Sequence, residues 1–334
     1  MNNSRDIWIL AEQFAGVTER ISFELLTRGL ELKEKANCRL NAMLFADKIS
    51  DSELQKLTDC GADSVAVVES PLFSAIQPET AVAAFLQIVR EYSPSVVLAG
   101  ATTLGRILLP YAAMQLHTGL TADCTKLDID PETGILLQTR PAIGGNIMAT
   151  IKCEKFRPQM ATVRPRSTPP AQPAAGRKGE IRRMALDFTG TPRSRQLGFT
   201  AAAKTSGIQQ ASRLVVVGRG IRKIETLEMI RELADLLDAR VAGTREAVDR
   251  GWLEYPCQIG LSGKTVTPDF YLGIGVSGAI QHLAGMQTAK TIAAINSDPE
   301  AQIFQVADFG ICGNLFEVVP ALIAEIKKGG SPWK

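Results

Sequence analysis

Gly275-Val276-Ser277-Gly278 follows an apolar run and precedes a helix-like pattern, inside the segment 269–286 that reads DFYLGIGVSGAIQHLAGM. At such a junction, free backbone N–H groups and a serine hydroxyl stabilise an anion such as a pyrophosphate. His282, one of two histidines in the chain, lies a few residues on. A phosphate cradle beside an imidazole points to a bound nucleotide cofactor whose reactive ring is tuned. Four other loops have the same character. Val217-Gly-Arg-Gly220 offers flexible backbone and the guanidinium of Arg219. A full G-x-G-x-x-G would need glycine where Lys223 stands, so the dinucleotide fingerprint is incomplete. Ala242-Gly-Thr-Arg245 brings the Thr244 hydroxyl and Arg245 just before a helix. Gly260-Leu-Ser-Gly-Lys264 carries the Ser262 hydroxyl, and Ala294-Ile-Asn296 ends a strand on an amide. Taken singly, each loop reads more readily as a plain turn, Arg245 as a surface charge and His282 as a structural histidine. Their coincidence in one stretch favours a shared ligand.

Other chemistries are disfavoured by composition. Cys38, Cys60, Cys124, Cys153, Cys257 and Cys312 form no C-x-x-C pair, and His117 and His282 are too few for a histidine metal site. Neither a paired-carboxylate nor a Ser/His constellation is evident, so redox work would fall to an organic cofactor. The net charge of +2 is close to neutral and argues against nucleic acid as a partner. No apolar run approaches the roughly 20 residues of a membrane span, and the N-terminus lacks a leader pattern. These features predict a cytoplasmic location without membrane insertion.

The elements that must position these loops alternate between two patterns. Strand-like runs at 7–10, 40–45, 64–68 and 96–99 are separated by helical periodicity at 19–35, 51–60, 79–92 and 104–117. This alternation predicts an α/β fold with a mainly parallel sheet covered by helices. Ser50 or Asp51 is placed to cap the second helix. A hairpin is expected at 125–129 and 135–139, with further strands at 147–153 and 160–163. From 165 to 212 the periodicity fades, and RPRSTPPAQP reads as a proline-rich linker. From 213 a second doubly wound α/β unit is expected. It has strand-like runs at 213–217, 257–261, 269–274, 292–296 and 303–307, helices near 225–237 and 315–327, and the stretch 242–252. The domain division is therefore 1–164, a linker at 165–212, and 213–334. The candidate loops follow strands, where open α/β sheets bind ligands.

These residues carry a resemblance. VVVGRG, AGTREAVDRGW, IGLSGKTVTPDFYLGIGVSGAIQHLAGM and TIAAINSDPEAQIFQVADFGI resemble the α subunit of electron transfer flavoprotein. In the first half, LAEQF, LAGATTLGR, TGLTADCT, TRPAIGGNIMATI and RPQMATVRP match as well. The resemblance implies two Rossmann-like domains, the C-terminal one holding one FAD and the N-terminal one meeting a β subunit in a heterodimer. It implies a second FAD or an AMP held mainly by that β subunit, and a flavin dehydrogenase of acyl-CoA type as redox partner. By the same resemblance, Arg219 and the turn of Ser277, Gly278, Ala279, Ile280, Gln281 and His282 contact the diphosphate and flavin regions. Asn296, Asn314 and Leu315 lie near the adenosine part, and Thr244, Gly260 and Leu261 belong to the cofactor loops. Arg245 stands beside the flavin ring, Ser262 near its N5, and His282 near the pyrimidine carbonyl. A cation and a hydrogen-bond donor there would stabilise a negatively charged reduced ring, at about 4 kcal/mol per unscreened charge near 4 Å.

This chain departs from the family at three positions: Leu261 replaces glutamine, Ser262 replaces threonine, and Asn314 replaces aspartate. Leu261 removes one polar contact and puts the flavin potential in question. TGLTADCT and TRPAIGGNIMATI look more like the anaerobic branch, which bifurcates electrons from NADH. The alternatives are a carrier feeding a membrane quinone oxidoreductase, a nicotinamide-dependent dehydrogenase, and a flavin-free assembly subunit. On the leading reading the protein is an electron carrier rather than a substrate-converting enzyme, unless it bifurcates electrons with its β subunit.

Overall fold

The structure is a computed structural model that describes residues 6–74, 77–142, 147–174, 176–188, 190, 193–194, 197, 207–209 and 211–329. Residues 143–146 of the TRPAIGGNIMATI stretch and parts of the expected linker lie outside these. Two compact units, Met1–Phe199 and Thr200–Lys334, make up the chain.

In the first unit, strands fully apolar on both faces build the sheet: β1 (Ile7–Ala11) is buried throughout. A small hairpin, β2 (Gln13–Phe14) and β3 (Val17–Thr18), leads into helix α1 (Arg20–Ala36). Then follow β4 (Leu40–Ala46), α2 (Asp51–Asp59), β5 (Ser64–Glu69), α3 (Pro78–Tyr92), β6 (Val96–Gly100) and α4 (Thr103–Leu116). The Glu53 N–H donates to the Ser50 hydroxyl at 3.3 Å, so Ser50 caps α2 as its sequence suggests. Strand β7 (Leu120–Cys124) precedes an antiparallel set of β8 (Lys126–Ile129), β9 (Leu136–Pro141) and β10 (Met148–Ile151), which contains the expected hairpin. Strand β11 (Gln159–Val163) returns to the main sheet.

The proline-rich segment is not wholly a connector. The Ala171 N–H donates to the Phe23 carbonyl, and the Thr27 hydroxyl donates to the Pro169 carbonyl. Strand β12 (Glu180–Ala185) then pairs in parallel with β5 at the sheet edge. Its sequence, EIRRMA, lies on an exposed edge and so carries no apolar period. The seven parallel strands run in the order β12-β5-β4-β1-β6-β11-β7. Helices α1 and α2 cover one face and α3 and α4 the other. The order reverses between β1 and β6. There Glu12 is buried, and the Thr102 hydroxyl donates to it at 2.6 Å.

The second unit has strands β13 (Arg213–Val217), β14 (Arg240–Gly243), β15 (Phe270–Ile274), β16 (Thr291–Asn296) and β17 (Phe309–Cys312). All pair in parallel, in the order β14-β13-β15-β16-β17. Helices α5 (Thr226–Leu236), α6 (Arg245–Asp249) and α8 (Leu315–Gly329) cover one face, with Leu227, Ile230, Leu233, Val319 and Ile323 inward. Irregular segments and the single turn α7 (Ile280–Leu283) cover the other. Two expected strands differ. The stretch 257–261 is a 3₁₀ turn (Tyr255–Cys257) followed by isolated bridges, because Gly260 ends the extended run at φ +143. The stretch 303–307 is also a 3₁₀ turn (Gln302–Gln305), and the strand comes later, as β17. Both units are Rossmann-like doubly wound α/β folds. No described helix is long and apolar enough to cross a membrane.

Candidate functional site

Because all five strands of the second sheet run the same way, the segments that follow them emerge on one edge. This brings Gly218–Gly220, Thr244–Arg245, Gly275–Gly278, Asn296 and Asn314 to the carboxyl edge. Five neighbouring strands span roughly 19 Å at the usual strand spacing. The order reverses between β13 and β15, where open sheets leave their ligand crevice. A side chain on Gly218 would run into the backbone of Gly275, and the Gly220 N–H donates to the Gly275 carbonyl at 3.0 Å. Only glycine allows these two loops to meet backbone to backbone.

The loops are tied in sequence along the edge. The Thr244 N–H donates to Val217, Gly275 to Ile295, and Gly313 to Asn296, at 2.9–3.0 Å. The Asn296 side chain donates to the Val276 carbonyl at 2.8 Å and so braces the central loop. The Ser277 carbonyl accepts from the Ile303 N–H at 3.1 Å. Gly278 stands at φ +82, and a Cβ there would collide with the Ile303 backbone.

Ser277 does not cap a helix as the sequence suggests. Helix α7 is one turn long and begins at Ile280, with Ala279 at its N-cap. A single turn has little aligned dipole, so anion binding here rests on individual N–H groups and the exposed Ser277 hydroxyl. Asn314 is committed to α8: its side-chain oxygen accepts from the Phe316 N–H at 3.2 Å. Leu315 is buried in the core and presents only backbone to the edge.

His282 is the clearest difference from expectation. Its ring is 6% exposed. Nδ1 lies 3.1 Å from the Ile259 carbonyl, and Nε2 lies 2.7 Å from the Tyr271 hydroxyl. A carbonyl only accepts, so Nδ1 carries the proton and Nε2 accepts from the tyrosine. Burial pushes the imidazole down to about 4, against a small opposing effect of the Ile259 bond. The ring is neutral at physiological pH, and its one N–H, expected near the pyrimidine carbonyl, is taken by the Ile259 carbonyl. Burial raises the Tyr271 phenol far above its ordinary range, so it remains a donor.

Arg245 is the remaining candidate cation at the ring end. Its side chain is 72% exposed and pairs with Asp249 at 3.2 Å within α6. Solvent screens a charge so exposed, so the 4 kcal/mol scale does not apply to it as the chain stands. Ser262 is exposed, and its hydroxyl accepts from the buried Gln258 amide at 3.1 Å. The Tyr255 hydroxyl donates to the Ser262 carbonyl at 2.9 Å, and the Leu261 N–H donates to the Gln281 carbonyl at 2.7 Å. Leu261 and Ile280 are 76% and 66% exposed, an apolar pair beside these donors. Sequence reasoning missed Tyr271, Gln258 and Tyr255. The signal for Gln258 was a lone amide in an apolar run; for Tyr271 it was an aromatic two residues before a strand glycine.

Comparison with known proteins adds to this geometry. Residues 7–189 match the family described as electron transfer flavoprotein domain, and residues 207–287 match the electron transfer flavoprotein FAD-binding domain. The chain is 45% identical over 330 residues to the electron transfer flavoprotein subunit alpha of Thermoanaerobacterium thermosaccharolyticum, covering 98% of this chain and 99% of that one. It is 36% identical to the acryloyl-CoA reductase electron transfer subunit beta of Anaerotignum propionicum, with 98% and 97% covered. It is also 36% identical to the lactate dehydrogenase (NAD(+),ferredoxin) subunit LctC of Acetobacterium woodii, with 97% and 77% covered.

Proposed function

The chain belongs to the electron transfer flavoprotein family, as an α subunit with a flavin-binding C-terminal domain, and on that premise we propose that its carboxyl edge holds one FAD and carries electrons together with a β subunit. The observation that carries this reading is the gathering of Arg219, Thr244, Arg245 and Ser277 on one parallel-sheet edge, with the Ser262 loop tied to it through Gly243 and Gln281. Hydroxyl and guanidinium donors are the chemistry that a diphosphate and a polyhydroxylated chain require. When bound, FAD supplies the redox chemistry. Arg219 and Ser277 hold the diphosphate. Asn296 keeps the central loop in place, while Asn314 and the Leu315 backbone border the adenosine end. Ser262 and Arg245 act at the ring end, with Arg245 losing its screening when ligand and partner cover it. The neutral His282 orients its loop and supplies no charge.

The test is to co-express the chain with its β subunit and titrate FAD. At least one FAD per heterodimer is expected, with one binding event weakened by Arg219→Ala. A pair that binds no flavin would overturn the proposal.

Within this reading we favour an electron-bifurcating complex with a flavin dehydrogenase of acyl-CoA type as partner. The names of two relatives support it, since one is a subunit of a lactate dehydrogenase named for NAD(+) and ferredoxin and the other is an electron transfer subunit of acryloyl-CoA reductase. The purified heterodimer is then expected to hold two FAD. One FAD plus AMP would leave the simple carrier that feeds a membrane quinone oxidoreductase.

A further inference from the structure

Tyr271 is the second residue of β15, four residues before the carboxyl edge at Gly275. At about 3.3 Å per residue its Cα lies roughly 13 Å below that edge. Its side chain is fully buried, yet its hydroxyl reaches His282 on α7. The ring must therefore lie along the sheet face. Gly273, two residues on and on the same face, opens the slot for it. A Cβ at position 273 would meet the Tyr271 ring at 3.0 Å and its hydroxyl at 3.4 Å.

Beyond His282 the connection continues. Nδ1 donates to the Ile259 carbonyl, and the Ile259 N–H donates to Gly243 at the end of β14 at 2.9 Å. The next residues, Gly260 to Ser262, carry the exposed hydroxyl at the ring end of the site. This loop is irregular, so no strand ladder holds it in place; isolated bridges and single hydrogen bonds tie it down. The imidazole ties the loop to α7 through its side chain, beside the backbone bond from the Leu261 N–H to the Gln281 carbonyl at 2.7 Å.

Resting on the flavin reading above, we propose that Tyr271 is a positioning residue: its hydroxyl donates to Nε2 of the imidazole whose tautomer the Ile259 carbonyl fixes, and by pinning that ring it holds the Ile259–Ser262 loop in place for the cofactor. The role needs both the hydroxyl and the slot at Gly273. It places the tuning of this end of the site in loop geometry and the dipole of a neutral ring.

The test uses the full chain co-expressed with its β subunit. Tyr271→Phe keeps the ring in its slot and removes one oxygen. In the unaltered protein, ¹⁵N-detected side-chain spectra should give one His282 tautomer, protonated at Nδ1 and constant from pH 8 to 6. The variant should keep the Nδ1–H tautomer that Ile259 selects, but give broadened His282 signals and a ring that takes up a proton at higher pH, because the neutral form loses the donor to Nε2. FAD affinity should fall roughly tenfold, the scale seen when an outer hydrogen-bond partner is removed from a site. The flavin potential should become pH-dependent in step with the His282 signal. Gly273→Ala retains the hydroxyl but crowds the ring, and should shift the same readouts in the same direction even if Tyr271→Phe fails to fold. An Nε2–H tautomer in the unaltered protein would overturn the proposal, and so would altered His282 signals with unchanged FAD affinity and potential. A heterodimer without any FAD would overturn the flavin reading itself, and the positioning role with it.

Discussion

In the N-terminal unit, the point where the sheet order reverses is filled by the chain's own side chains. Thr102 caps α4 by accepting from the Gly105 N–H at 3.1 Å and donates to Glu12, which closes the space beside β1. In the C-terminal unit, the corresponding point between β13 and β15 is glycine against glycine, flanked by exposed donors. Each unit also buries an ionisable group near its carboxyl edge, with opposite chemistry. Burial raises the Glu12 carboxyl to about 7, opposed by the Thr102 bond and assisted by Glu19. Burial lowers His282 to about 4. One winding thus serves two ends: a plugged crevice suited to a scaffold, and an open, donor-lined edge suited to a ligand. Topology decides where a site can be, and the residues on the loops decide whether one exists.

The strongest test of this contrast is Gly278→Ala. A left-handed φ and a collision with the Ile303 backbone should cost at least about 3 kcal/mol. Calorimetry should register that loss in the C-terminal unit alone, together with loss of bound FAD. A uniform loss across both transitions would break the separation between the units.

Next in size is pH. The raised Glu12 contributes stability that is present below its ordinary value of 4.5 and is lost as pH rises towards 7. The lowered His282 contributes stability that is present above 6.5 and is lost as pH falls towards 4. Each effect reaches about 3 kcal/mol. Between about pH 4.5 and 6.5 the two units should therefore change in opposite directions, measurable as diverging unfolding transitions. Glu12→Gln should flatten the N-terminal slope only.

Thr102→Ala removes both a helix cap and the donor to Glu12. It should destabilise the N-terminal unit by about 1–2 kcal/mol and leave FAD titration unchanged. The smallest effect on stability is expected for Arg245→Ala, within about 0.5 kcal/mol for so exposed a side chain. Its signature would be a lower flavin potential in the heterodimer. An unchanged potential would remove Arg245 from the ring end of the site.

Much of the fold was legible in the chain because β1 and β6 are apolar on both faces, β4 is so but for Asn41, and α5 carries a single apolar stripe. Ser50 announced its helix for the same local reason. What escaped was decided by non-local partners. β12 exists only because β5 offers it an edge, and Tyr255–Cys257 turns where its apolar neighbours suggested extension. At the site, Arg219, Ser262, Ser277 and the glycine loops could be found from their types and spacing. Tyr271 left only a faint mark, an aromatic two residues before a strand glycine, since its partner His282 is 11 residues away.

By itself the sequence determined two doubly wound units, the loops that end their strands, and the cofactor class those loops suit. These depend on side-chain alternation and backbone freedom, which are local properties. The charge of His282, the holding of the Ser262 loop and the plugging of the first crevice by Glu12 were decided only by the tertiary structure. Protonation depends on burial and on partners brought from distant positions, Tyr271 and Ile259 in one unit and Thr102 in the other, and no local pattern encodes them.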